Sequence, residues 1–139
     1  MSHMTYRGSC LCGAMEYEVT GEATRFYHCH CQRCRKATGT GHATNLFIKV
    51  DKVNWLKGED LIANYKIPQA QRFTNSFCSQ CGSRIPRYVP ELKVVMLPAG
   101  SLDNEPDIQP QARIFWDSRA EWSCSDGDIP LFEEYETEK

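Results

Sequence analysis

Seven of the eight cysteines in this 139-residue chain stand in three tight groups: Cys10-Leu11-Cys12, Cys29-His30-Cys31-Gln32-Arg33-Cys34 and Cys78-Ser79-Gln80-Cys81. No other feature restricts the fold as strongly, because each group brings thiols within reach of one common ion or of each other. The redox setting decides between metal and disulfide. The opening Met1-Ser2-His3-Met4 has neither a charged stretch nor an apolar core, so it reads as an expression-tag remnant and not as a secretion signal. The expected location is therefore cytoplasmic. Patterned cysteines in a reducing compartment point to metal ligands or catalytic groups ahead of disulfides.

The length favours a single domain, expected over residues 5–139, with enough chain to bury a real core. A hydrophobic content of 41%, a charged content of 24% and a net charge of −2 describe an ordinary globule. They leave no basic face or stripe for nucleic acid, and no run approaches the ~20 apolar residues of a membrane span. The expected partner is a small molecule, with the chain a monomer or a homodimer. Only the tail from Glu133 to Lys139 is strongly charged, and it is expected to fray.

Between turn formers the segments are short and strand-like. Met15, Tyr17 and Val19 alternate with Glu16 and Glu18, the period of a half-buried strand. Ala43 to Val50, Arg72 to Phe77, Lys93 to Leu97 and Ala112 to Trp116 are rich in β-branched or aromatic residues. One short helix is predicted over Arg33 to Thr38, closed by Gly39. The fold class that follows is mainly β.

Spacing divides the cysteines into two sites. Cys10 and Cys12, two apart on a presumed strand, point to one face. Cys78 and Cys81 form a C-x-x-C turn that Gly82 lets bend back. Together they supply four thiolates, the usual set for a structural zinc. The remaining group offers three, Cys29 and Cys31 from one strand face and Cys34 from the start of the helix. Catalytic zinc characteristically has three protein ligands and an open position. His28 and His30 alternate with these cysteines and should face away; His42 or Cys124 could instead close the site, making it a second structural centre. For Cys124 itself a buried free thiol is the expectation.

These groups, in their order, make the chain similar to the glutathione-dependent formaldehyde-activating enzyme (GFA) family, also called the centromere-protein-V domain. The matching pieces are Gly8-Ser-Cys-Leu-Cys-Gly-Ala-Met-Glu-Tyr17, Cys29-His-Cys-Gln-Arg-Cys-Arg-Lys-Ala-Thr-Gly39, Phe77-Cys-Ser-Gln-Cys-Gly-Ser83, the stretch Arg113 to Trp122 and Leu131-Phe-Glu-Glu134. The resemblance implies a β-tent fold with two Zn²⁺ ions. A structural zinc would sit on Cys10, Cys12, Cys78 and Cys81, and a catalytic zinc on Cys29, Cys31 and Cys34. It further implies a carbon–sulfur lyase-type activity that joins glutathione, the co-substrate, to formaldehyde. A thiol carrier without catalysis, or a zinc-stapled interaction domain, is the alternative.

The chemistry suits an open zinc. A free thiol is mostly protonated at neutral pH, and coordination to zinc deprotonates it. Three thiolates on Zn²⁺ leave a net charge of −1 and weaken it as a Lewis acid, which favours thiol capture over water activation. Glutathione carries two carboxylates, and Arg35 and Lys36 are the cations nearest Cys34 in sequence. Arg72, Arg87, Arg113 and Arg119 are further candidates, and the Thr38 and Thr40 hydroxyls give no distinguishing signal. Trp55, Trp116 and Trp122 are read as packing residues.

Overall fold

The structure is a computed structural model that describes residues 3–124 and 129–136. The fold is mainly β with one α-helix, as the strand pattern and the resemblance both imply. The strands are β1 (His3–Ser9), β2 (Glu16–Cys29), β3 (Ala43–Lys49), β4 (Asn54–Lys57), β5 (Ile62–Lys66), β6 (Thr74–Cys78), β7 (Arg87–Val89), β8 (Val94–Pro98) and β9 (Ala112–Ile114). The helix, α1, spans Gln32–Thr38 and ends on Gly39 in the left-handed conformation, φ 72°. No helix among the described residues is long and apolar enough to cross a membrane.

One curled sheet runs β1-β2-β3-β8-β7, with β4 and β9 also paired to β2, and β5 and β6 form a separate hairpin. Strand β2 organises the whole. It pairs antiparallel with β1 from Glu16 to Glu22 and with β3 from Glu22 to Cys29, while β9 runs parallel to its last three residues. The alternation seen at Met15 to Val19 continues through Ala23, with Tyr17, Val19 and Ala23 buried in the main core beside Tyr6, Leu46 and Val95. His3 and Met4 belong to β1, and Met4 packs against that core. Met1, Ser2 and the last three residues of the charged tail, 137–139, lie outside the described residues.

A register shift between Ala23 and Arg25 then changes the assignment of faces. Because strand side chains alternate with period two, one extra residue moves every later side chain to the opposite face. Beyond the shift Phe26 is the core residue, paired with core Leu46. Tyr27 and Cys29 therefore turn to the other face, alongside Asn45 and Phe47. The bulge thus places the second cysteine group outside the main core, where a separate small cluster of Cys29, Cys34 and Ala43 forms with Phe73 and Ile114 against it.

Candidate metal centres

Cys10, Cys12, Cys78 and Cys81 converge: their four sulfurs lie within 4.8 Å of one another. The Cys10 and Cys12 sulfurs are 3.6 Å apart and those of Cys12 and Cys78 4.0 Å. Four sulfurs around one tetrahedral zinc, each at ~2.3 Å, would stand roughly 3.8 Å apart. The set fits a single ion.

The route to that convergence differs from the strand pairing expected for Cys10 and Cys12. β1 stops at Ser9, and Cys10 to Ala14 form a tight turn. The Gly13 amide donates to the Cys10 carbonyl at 3.0 Å, and Gly13 takes φ +79°. The second loop repeats the device, with Gly82 donating to the Cys78 carbonyl at 2.8 Å at φ +81°. In both loops a left-handed glycine follows the second cysteine, a conformation that costs an L side chain strain. Backbone amides then point at sulfur: Met15 donates to Cys10 at 3.3 Å and Gln80 to Cys78 at 3.4 Å. The Gln80 side-chain amide donates to Cys12 at 3.3 Å. Such donors stabilise thiolates and orient metal ligands. The Ser83 hydroxyl and backbone beside Cys81 draw its thiol down to about 5. Met15 and Ile85 seal Cys10 and Cys78 into a second apolar cluster.

The three sulfurs of Cys29, Cys31 and Cys34 also lie within 4.8 Å of one another. Cys29 ends β2, Cys31 is the N-cap of α1 and Cys34 is the helix's buried residue. Only Cys29 is on a strand, so Cys31 reaches the cluster through the cap and not through strand alternation. The neighbouring Cys34 thiol is the main cause that draws Cys29 down to about 6; burial opposes it, and the Cys31 backbone and Arg84 assist. Cys34 is pushed up by Cys29 and by burial. Among the described residues, no His, Asp, Glu or further Cys joins this triad.

The histidines form their own stack. His28 and His42 have ring centroids 4.2 Å apart, His30 and His42 4.9 Å, and His30 meets Trp116 edge-on at 5.0 Å. Burial drives His28 and His30 below the ordinary histidine range, and the charges of His42 and Arg113 add to it. Cys124 joins neither centre and is exposed, not buried as expected: it sits on a surface turn where Arg113 Nη1 donates to its sulfur at 3.0 Å. Trp55 does pack, edge-on to Tyr17 at 5.8 Å, and Arg119 lies 4.2 Å over the Trp116 ring, but Trp122 is 70% exposed.

A cavity of about 700 Å³ opens on Cys29, Cys31 and Cys34. Tyr27, Phe47 and Met96 give it an apolar wall, while Arg33, Arg72, Arg84 and Arg87 give it charge. Among the described residues, no Asp, Glu, Lys or His lines it. Three buried polar atoms in its wall have no partner: Arg84 Nη1, Arg87 Nε and Asn45 Oδ1. Buried polar groups normally find partners; these three have none among the described residues. Arg35 and Lys36, sequence neighbours of Cys34, are not among the lining residues, and Arg35 Nη1 donates instead to the Ser118 carbonyl at 2.7 Å. Arg72 and Arg87 do line the cavity. Arg33 and Arg84 do too, although nothing in the sequence marks them except nearness to a cysteine motif.

A curled β-sheet with one four-sulfur and one three-sulfur cluster defines a protein with two candidate metal centres of unlike design. The particular family follows from the sequence profile: residues 5–118 match the family described as "Glutathione-dependent formaldehyde-activating enzyme" (GFA), and the chain belongs to it. No curated protein matches the chain significantly. Among solved structures, it is similar to the crystal structure of a Rhodobacter sphaeroides protein, at TM-score 0.58 and 20% identity. That likeness covers 77% of this chain and 98% of the other, and it concerns the fold.

Proposed function

We propose that the chain binds zinc at both clusters and uses the three-cysteine centre to hold a small thiol, glutathione or a relative, for addition to formaldehyde or a similar aldehyde. The observation that carries this reading is, among the described residues, a sulfur triad with no fourth protein donor that opens onto a cavity whose charged lining side chains are all arginines.

Cys29, Cys31 and Cys34 would hold the ion, and Cys10, Cys12, Cys78 and Cys81 a second, structural one. Sulfur-rich tetrahedral sets select zinc or iron–sulfur chemistry, and the single convergence point of each cluster suits a mononuclear ion. A zinc ion held by Cys29, Cys31 and Cys34 would supply thiol activation, favouring the thiolate form of a bound ligand. The protein's own groups do the rest. Arg33, Arg72 and Arg87 select an anionic substrate, and a guanidinium can pair with a carboxylate in bidentate fashion. Tyr27, Phe47 and Met96 exclude water from the aliphatic part of the ligand. The net reaction adds S–H across C=O, forming a C–S bond and an alcohol. It is formally the reverse of a carbon–sulfur lyase step, and it needs no oxidant.

The test is formaldehyde and glutathione consumption by zinc-loaded protein. Turnover above the spontaneous rate, abolished in Cys31→Ser, is expected. A rate equal to the spontaneous one would favour a second reading, a thiol carrier without catalysis. One observation supports that reading: among the described residues no His, Asp, Glu or Lys lines the cavity to move a proton. Both readings take a small molecule as the partner and suit the reducing, cytoplasmic setting expected for free thiols.

A further inference from the structure

We infer that Arg84 is a positioning residue that supplies the counter-charge of the three-cysteine centre, and that its seat just after the Cys78–Cys81 loop makes the three-cysteine centre depend on the four-cysteine one. The inference rests on the reading of Cys29, Cys31 and Cys34 as a metal seat.

Arg84 shares the cavity wall with all three cysteines. Its Nε donates to the neutral Asn75 Oδ1 at 2.7 Å, and its Nη1 is sealed from solvent without a partner. The ion pairs found among the described residues join Arg7 to Glu18 and Lys57 to Glu16, so no carboxylate neutralises Arg84. A buried charge without a counter-ion is costly. Three thiolates on a divalent ion carry a net charge of −1, and one guanidinium brings the assembly to zero. Burial pulls the Arg84 guanidinium below its ordinary range and the Arg87 charge adds to this, while Cys34, Cys31 and Cys29 act in the opposite sense.

The backbone of Arg84 is set by the other centre. Cys78 donates to the Ser83 carbonyl at 2.8 Å, Ile85 to the Ser76 carbonyl at 3.0 Å, and Arg84 itself bridges to Phe77. The Ser83 hydroxyl accepts from the Leu11 amide at 2.9 Å and stands 3.3 Å from the Cys81 sulfur. The loop that wraps the four-sulfur site therefore presents the cation to the three-sulfur site.

The test is a cobalt(II) titration of the full chain against a competing chelator, comparing wild type with Arg84→Met, Arg84→Gln and Arg84→Lys. Wild type should take up two ions, the second more weakly. Arg84→Met and Arg84→Gln should hold the first ion unchanged and lose about tenfold or more in affinity for the second, the scale of an outer-shell partner. Arg84→Lys should recover most of that loss, which a merely structural role would not predict. If the neutral variants lose the first ion and so fail to fold, Arg84→Lys carries the test, and loss of its second site alone overturns the inference. Equal second-site affinity in wild type and both neutral variants overturns the inference but leaves the metal seat standing. A wild type that takes up only one ion overturns both.

Discussion

The Cys34 amide donates to the Cys31 sulfur at 3.2 Å, so Cys31 is at once the cap of α1 and a member of the sulfur triad. The two roles separate chemically. Serine is among the best N-caps but a poor substitute for a soft thiolate ligand. Cys31→Ser should therefore keep the helix and the fold while losing one metal and the thiol response. Circular dichroism and metal analysis of the same sample check this; a Cys31→Ser protein that unfolds would place the triad in the scaffold instead.

Cys78→Ser should behave oppositely. Cys78 is fully buried between Met15 and Ile85, and its loop joins β6 to the strand-end turn at Cys10. Structural zinc contributes on the order of 10 kcal/mol of folding free energy at neutral pH, comparable to the whole stability of a small domain. Loss of cooperative thermal unfolding is expected, both in Cys78→Ser and in wild type stripped by a strong chelator.

Gly8 tests the register of β1 on β2. It lies opposite Tyr17, whose hydroxyl hydrogen-bonds the Ser101 hydroxyl at 2.6 Å. A Cβ on Gly8 would run into the Tyr17 ring and hydroxyl and the Ser101 carbonyl. Gly8→Ala should cost roughly 2–3 kcal/mol, the upper range for overpacking a tight core, read as a lowered denaturation midpoint at unchanged slope.

Alkaline pH should weaken the fold through Tyr6. Burial, with added help from Asp107, to which the hydroxyl donates at 3.1 Å, pushes its phenol up to about 12. The unfolded chain releases that proton near its ordinary value of ~10. Between these values the unfolded state binds fewer protons than the folded one, so stability falls as pH rises through the window. It is fully retained below it. Tyr6→Phe should show a smaller loss of stability between about pH 9 and about pH 12 than wild type, measured by urea denaturation.

The sequence carried the cysteine partition, the β class and the helix, because thiol spacing and side-chain alternation are local properties. What it hid was non-local. The shift at Ala23/Arg25 decides which face Cys29 joins, yet neither residue carries a breaker signal. Cys10 and Cys12 meet through a turn at Gly13, although strand alternation gives the same answer for a different reason. Arg35 and Lys36 stand next to Cys34 in sequence, but a helix turns its neighbours to different sides, and Arg35 is taken up by Ser118. Arg72, Arg84 and Arg87 reach the cavity from β6–β7 segments more than thirty residues away in sequence. Cys124 was expected inside because free cysteines usually are, whereas its surface turn leaves it exposed.

The proposed function requires a replaceable ligand position at Cys29, Cys31 and Cys34 and none at Cys10, Cys12, Cys78 and Cys81. Titrating the fully cobalt-substituted protein with glutathione while recording its visible spectrum tests this most directly. Two ions per chain are expected, with the bands of one shifting to a saturable end point and those of the other unmoved. Two ions whose spectra both ignore the thiol would contradict it.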